Sequence, residues 1–342
     1  MRVGIVGFGF MGRTHFGGWQ KIAGAEIAAI CESNPAAVED ARGTIGNIEG
    51  AAAPVDLGSL PIYTDLNQML KNEQLDAVSI ALPTHLHQAT TVQALAAGAH
   101  VLCEKPMALT VAQCDRMIAA ARRAHRTLMV GQCIRFWPEY VAAREIVRAG
   151  TFGPVRAAVF QRFGSMPLWS GARNWFTDTA KSGGVIMDLQ IHDIDFILHL
   201  LGRPAWLQAI GARTETGALF HVATQYGYES ASVTAEASWA MMPGAGFHMN
   251  FWIALERATI VFDAPRRPPF RVFPHEGKAF TPQVAEGDGW VREIRYFADV
   301  VSGKDVETVL TPESSRESVR VALAGAEAVE RGERIALGET TG

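Results

Sequence analysis

The feature that most narrows the fold lies at the start of the chain. A strand-like run, Arg2 to Val6, leads into Gly7-Phe8-Gly9-Phe10-Met11-Gly12, and residues 12–24 then take helical spacing. This is G-x-G-x-x-G in a strand, turn and helix setting. Gly7 permits the tight turn, Gly9 lets backbone approach a pyrophosphate, Gly12 lets helix pack closely on strand, and the diphosphate rests on the helix N-terminus. Glu32 ends the next strand-like run, 20 residues past Gly12, where a carboxylate accepts hydrogen bonds from ribose hydroxyls. A dinucleotide-binding unit is therefore expected. Ser33-Asn34-Pro35 offer no Arg or Lys to a 2′-phosphate, so NAD is favoured over NADP.

The rest of the chain extends this grammar and then changes it. Apolar runs at Ile27 to Ile30, Ala77 to Ala81, Val101 to Cys103 and Leu128 to Val130 alternate with helical stretches at 35–43, 65–72, 85–97 and 110–125. Continuous apolar strands alternating with helices imply a parallel sheet covered on both faces. Thr110 and Gln113 form a capping-box pattern at the last of these helices. Residues 44–61, rich in Gly, Ala and Pro, read as a surface loop. Past residue 150, strand patterns at 155–163, 205–213, 219–227, 231–240, 248–255, 258–263 and 270–273 are broken by one helix at 188–201. Strands in succession imply an antiparallel or mixed sheet. The fold class expected is α/β, with a doubly wound parallel sheet and then an α+β domain built on a large open sheet. With 342 residues the chain holds about two domains, divided into 1–126 and 127–342, with a last helix near 313–331 packing close to the junction.

Two further groups carry chemistry. Glu104-Lys105-Pro106 stands at a strand's carboxyl end, where open α/β sheets bind ligands. Gly183-Gly184 precedes Asp188, His192, Asp195 and His199. At about 100° per residue these four share a stripe roughly 60° wide on a largely apolar helix. Buried titratable groups are paired or functional; Asp195 with His199 reads as a structural pair, and Asp188 with His192 as part of a site. Hydride leaves an alcohol carbon only as its O–H proton is removed. His192 is the expected base, titrating at about 5.5 to 8.5. Lys105 is expected to stabilise the developing alkoxide, and Asp188 to orient the imidazole or bind substrate.

These residues, with His15 and the run Ala81-Leu82-Pro83-Thr84-His85-Leu86-His87, resemble the Gfo/Idh/MocA oxidoreductases (glucose-fructose oxidoreductase, inositol dehydrogenase, rhizopine catabolism) over nearly the whole chain. The resemblance implies a Rossmann domain, a second domain whose open sheet serves homodimer or homotetramer contacts, and a sugar or polyol substrate held against NAD(P) between them. It implies that Lys105, Asp188 and His192 are catalytic. The cofactor set it implies is Gly7, Phe8, Gly9, Phe10, Met11, Gly12, Glu32, Ser33, Leu82, Pro83, Thr84, His87, Glu104 and Lys105. Lys105, Arg135, Arg162, Trp175, Asp188 and His192 are the expected substrate contacts, with Phe136, Trp137, Phe163, Trp169, Arg173 and Asn174 as further wall candidates. Ser182 stands where relatives often carry a third glycine, and Glu32 replaces the commoner Asp.

Composition excludes other classes. Lys+Arg is 31 against Asp+Glu 35, a net charge of −4, without the basic excess that nucleic-acid binding draws on. No apolar run is long enough to span a membrane, and the glycine-rich start does not fit a signal peptide. Cys31, Cys103, Cys114 and Cys133 contain no C-x-x-C pair, so reduced thiols in a cytoplasm, with no metal bound through cysteine, are expected. Two other activities share these motifs: a hydrolase or lyase that oxidises a sugar transiently and retains its NAD, and a non-catalytic cofactor-sensing regulator.

Overall fold

The structure, a computed structural model, describes residues 1–39, 55–167 and 175–338. The first half is set by short apolar strands, of which β1, β2, β4, β5 and β6 are mostly or wholly buried, as a sheet covered on both faces requires. In chain order it runs β1 (Arg2–Val6), α1 (Phe10–Trp19), β2 (Glu26–Cys31), α2 (Pro35–Glu39), β3 (Ile62–Tyr63), α3 (Leu66–Asn72), β4 (Ala77–Ile80), a 3-10 turn (Thr84–Leu86), α4 (His87–Ala96), β5 (His100–Glu104), α5 (Val111–Ala124) and β6 (Leu128–Gly131). The sheet order is β3-β2-β1-β4-β5-β6, parallel throughout. This is the Rossmann order, and it puts the ligand crevice at the carboxyl ends of β1 and β4, where the winding reverses.

The second half follows a 3-10 turn (Cys133–Phe136) and α6 (Pro138–Ala149). It contains β7 (Val155–Phe163), α7 (Thr179–Ser182), a π-helical turn (Ile186–Gln190), α8 (Ile191–Leu201), β8 (Trp206–Arg213), β9 (Leu219–Gly227), β10 (Ser232–Ser238), β11 (His248–Leu255), β12 (Ala258–Asp263) and β13 (Phe270–Pro274). It closes with α9 (Gly289–Val301), α10 (Pro312–Arg331) and β14 (Ile335–Ala336). The order of the second sheet is β13-β12-β11-β7-β10-β9-β8-β14. Only β7 and β10 pair in parallel there. Burial alternates along its strands, as in β7 and β11, so one face meets α8 and α10 and the other is open.

Several boundaries differ from the sequence pattern for visible reasons. The first helix begins at Phe10 and stops at Trp19, because the N–H groups of Lys21 and Ile22 turn back to the carbonyls of Gly18 and Trp19 at 3.0 Å, tightening the end to i→i+3 bonding. The capping box forms, with Gln113 N–H donating to Thr110 Oγ1 at 3.2 Å. Three helices lie outside the helical stretches the sequence pattern predicts: the four-residue α7 and the longer α6 and α9. α6 starts with Pro138 at its first turn and ends at Gly150, φ 67°. α9 is capped by Asp288, whose carboxylate accepts from Val291 N–H at 2.8 Å. α9 returns to the first half: Phe297 meets Trp19 edge-on at 6.1 Å, and a Cβ at Gly18 would lie 2.4 Å from Ile294 Cδ1. Of the 44–61 loop, residues up to 54 lie outside the described ones.

Candidate active site

The glycine turn is built as its motif requires. Gly7 has φ +87° and a Cβ there would meet the Ala81 carbonyl at 2.5 Å, while a Cβ at Gly12 would meet the Gly7 carbonyl at 2.0 Å. Gly9 instead faces open space, with no atom within 4 Å of a Cβ position. That open backbone at a helix N-terminus fits a diphosphate. Glu32 follows β2 and accepts from Phe8 N–H and Asn34 N–H, each at 2.8 Å, so its carboxylate is fixed beside the turn. Ser33 is exposed next to it.

The loops after β4 and β5 are tied together by His87. Its Nδ1 lies 2.8 Å from the Pro106 carbonyl and its Nε2 2.7 Å from the Leu82 carbonyl. A neutral ring donates to only one of them, and burial holds His87 below the usual imidazole range. His87 is 1% exposed and Thr84 2%. His87 thus braces the Leu82 carbonyl, and Leu82 and Pro83 beside it remain partly open. Glu104 is likewise enclosed: Oε1 faces His15 Nε2 at 2.9 Å and Oε2 accepts from Lys105 N–H at 3.0 Å. The Lys105-Pro106 peptide is cis.

Lys105 crosses to the second half. Its Nζ donates to the Asp188 carbonyl at 2.8 Å and to Asp188 Oδ1 at 3.0 Å. Asp188 lies in the π-helical turn, where Ile191 N–H bonds to the Ile186 carbonyl. The wide turn is anchored on the sheet by Gln190, which donates to the Ala235 carbonyl at 3.0 Å and accepts from Thr224 Oγ1 at 3.2 Å. His192 is half-buried, its Nδ1 enclosed without a hydrogen-bond partner. Burial, then Lys105 and Arg162, hold its imidazole well below the usual range, so the ring is neutral, and free to accept a proton, near neutral pH.

The structure corrects the arginines. Arg162, expected against substrate, is buried and forks onto Asp193, Nε to Oδ2 at 3.1 Å and Nη2 to Oδ1 at 2.8 Å. Arg135 does the same with Asp195 at 2.8 and 2.7 Å and donates to the Val309 carbonyl at 2.9 Å. Both guanidinium groups are spent in the core. The expected Asp195–His199 pair is thereby replaced, since Asp195 binds Arg135 and accepts from Ser318 Oγ at 2.9 Å. Burial and three arginines push His199 down to about 3. Phe136 and Trp137 pack on α9 through Tyr296 and Trp290, with centroids at 5.1 and 5.2 Å. Trp175 stacks on Phe176 at 4.0 Å. Trp169, Arg173 and Asn174 lie outside the described residues.

One buried group went unread in the sequence. Glu293 of α9 brings a carboxylate oxygen within 4.8 Å of a His15 ring nitrogen and a Glu104 oxygen. It sits in an amphipathic helix in which a lone acid on the apolar face was the available signal.

A Rossmann half with an open glycine turn is thus joined by a lysine–aspartate bridge to a half built on an open sheet, the architecture of a class of two-part Rossmann proteins. The chain belongs to the Gfo/Idh/MocA family: residues 1–132 match its NAD-binding Rossmann-fold domain and residues 140–261 its C-terminal domain. It is 32% identical over 217 residues to D-apiose dehydrogenase of Paraburkholderia graminis, covering 62% of this chain and 52% of that protein. It is 28% identical over 203 residues to myo-inositol 2-dehydrogenase of Thermotoga maritima, covering 59% and 55%. The match thus spans about half the length of these relatives. Among solved structures, aldose-aldose oxidoreductase from Caulobacter crescentus complexed with glycerol superposes with TM-score 0.82 at 22% identity, covering 98% of this chain and 99% of that one. Levoglucosan dehydrogenase in complex with NADH and levoglucosan gives 0.82 at 21%, covering 99% and 100%. These likenesses show the shared fold. Among the described residues, no helix is long and apolar enough to cross a membrane.

Proposed function

We propose that this chain is an NAD-dependent dehydrogenase acting on a secondary hydroxyl of a sugar, polyol or inositol-like substrate, with Lys105, Asp188 and His192 as its reacting set. The observation that carries this reading is the bridge from Lys105 Nζ to Asp188, which brings the carboxyl end of a Rossmann strand to the helix that bears His192. Bound NAD supplies the hydride acceptor. His192, neutral in the fold, takes the hydroxyl proton. Lys105 stabilises the developing alkoxide, and Asp188 holds the ammonium in place and accepts from a substrate hydroxyl. Gly7, Gly9 and Gly12 cradle the diphosphate. Glu32, fixed beside the turn, repels a 2′-phosphate and favours NAD over NADP. The names of the relatives support a carbohydrate or polyol as substrate. The reading includes self-association through the open face of the second sheet.

A panel of monosaccharides, inositols and sugar acids with NAD or NADP, followed as reduced cofactor, tests it. Reduction of NAD by at least one polyol, at a higher kcat/KM than with NADP, is expected. Glycoside cleavage without net NADH would overturn net oxidation in favour of the NAD-retaining reaction. Equal use of NADP would overturn the role of Glu32.

A further inference from the structure

Beneath Lys105 lies a buried cluster that the proposed reaction does not use. His15 of α1 faces Glu104 through Nε2 at 2.9 Å and Ser79 Oγ through Nδ1 at 2.6 Å. With the proton on Nε2 the ring donates to Glu104, and Nδ1 accepts from the Ser79 hydroxyl. Glu104 spends its other oxygen on the backbone N–H of Lys105. Gly131 of β6 makes room for this carboxylate, since a Cβ there would stand 2.9 Å from Glu104 Oε1. Into the same space α9 delivers Glu293, 0% exposed, both oxygens without a hydrogen-bond partner.

A second buried negative charge so close to Glu104 is strongly disfavoured unless a cation or a proton offsets it. Because His15 and Glu104 already bond to each other directly, a proton on Glu293 is favoured over a metal ion bridging the three.

We propose that Glu293 is a positioning residue that, as a neutral acid, leaves Glu104 the single negative charge of the cluster and so holds the Lys105 backbone in place. The groups that face it are consistent with this: Glu104 of β5, His15 of α1, Cys133 of the 3-10 turn after β6, Asp195 of α8 and its own helix cap Asp288. Burial, then Glu104, Asp288 and Asp195, push its carboxyl well above the usual range. Ionisation of Glu293 would drive Glu104 away and carry the Lys105 peptide with it. This rests on the proposed role of Lys105, but its test does not require turnover.

Infrared difference spectra of the full chain against Glu293→Gln are expected to show a protonated-carboxyl stretch at neutral pH that is lost in the variant. In parallel, acylation of Lys105 by an amine-reactive reagent is followed residue by residue by mass spectrometry as pH rises. The wild-type profile is expected to diverge from that of Glu293→Gln where the carboxyl stretch disappears, while Glu293→Ala departs from both at every pH. A missing stretch, superimposable profiles or a stoichiometric divalent metal in the purified protein would each overturn the proposal. Failure of every substrate with these results in hand would count against the dehydrogenase reading alone.

Discussion

His192 asks the most of its surroundings, because a base is useful only if it is unprotonated where the enzyme works. From the residue type alone its ionisation belongs at about 5.5 to 8.5, but burial and the cations Lys105 and Arg162 move it lower. The acid limb of kcat is therefore expected below that range, and activity should be flat from about pH 6.5 upward on its account. His192→Asn should keep NAD binding and lose both the limb and most of the rate; a variant that retains the limb would return the proton to another group. The same shift has a stability consequence. Between its folded value and the unfolded value of about 6.5, the unfolded chain binds a proton that the fold refuses, so stability rises with pH across that window and falls toward acid. Thermal melts of His192→Asn should show a shallower acid decline. Lys105→Met removes a positioned cation and should lower kcat by roughly two decades with little change in melting temperature. Near wild-type turnover would remove Lys105 from the reaction.

The helix that bears these groups shows what a single sequence discloses and what it withholds. Its apolar circumference and the glycines before it were legible. A uniform turn of about 100° per residue, however, put Asp188 in line with His192, Asp195 and His199. The π-helical turn breaks that line, and Asp188 turns to Lys105 while Asp195 turns to Arg135. Local propensity does not announce a π turn, whose carbonyl and carboxylate are satisfied by a lysine from another domain. The buried arginines were misread for a related reason. Arg162 stands on a strand whose pattern is correct, and its partner is Asp193 of α8. A buried acid on an apolar helix demands such a partner, and that demand was the overlooked signal. Asp193→Ala, which strands Arg162 in the core, should destabilise by about 3–5 kcal/mol, whereas Arg162→Met with Asp193→Leu should recover most of that loss. Urea unfolding of both variants is the measurement, and a single-variant cost below about 1 kcal/mol would show the pair to be dispensable.

At the scale of the whole molecule, the second sheet leaves one face uncovered, and its register shows how much apolar surface that face presents. Val159 of β7 lies beside Trp252 of β11, and Trp252 beside Val261 of β12, forming a row across the sheet with Trp252 40% exposed. The next row toward the edge carries Ala157, Ala254, Thr259 and Phe273, with Phe273 39% exposed. Arg271 of β13 ends the first row and lies over the Phe273 ring; apolar surface rimmed by polar groups marks an interaction site, and sheet faces pack on one another, as two copies around a two-fold axis can. The purified protein is therefore expected to run as a dimer or tetramer. Trp252→Glu puts a charge at the centre of the row, where pairing two copies would bury both carboxylates without partners. By light scattering after size exclusion the variant should shift to a smaller species, and its NAD affinity should hold because the glycine turn belongs to the other sheet. A monomeric wild type, or a variant of unchanged mass, would show that this face is covered by something other than a second copy of the chain.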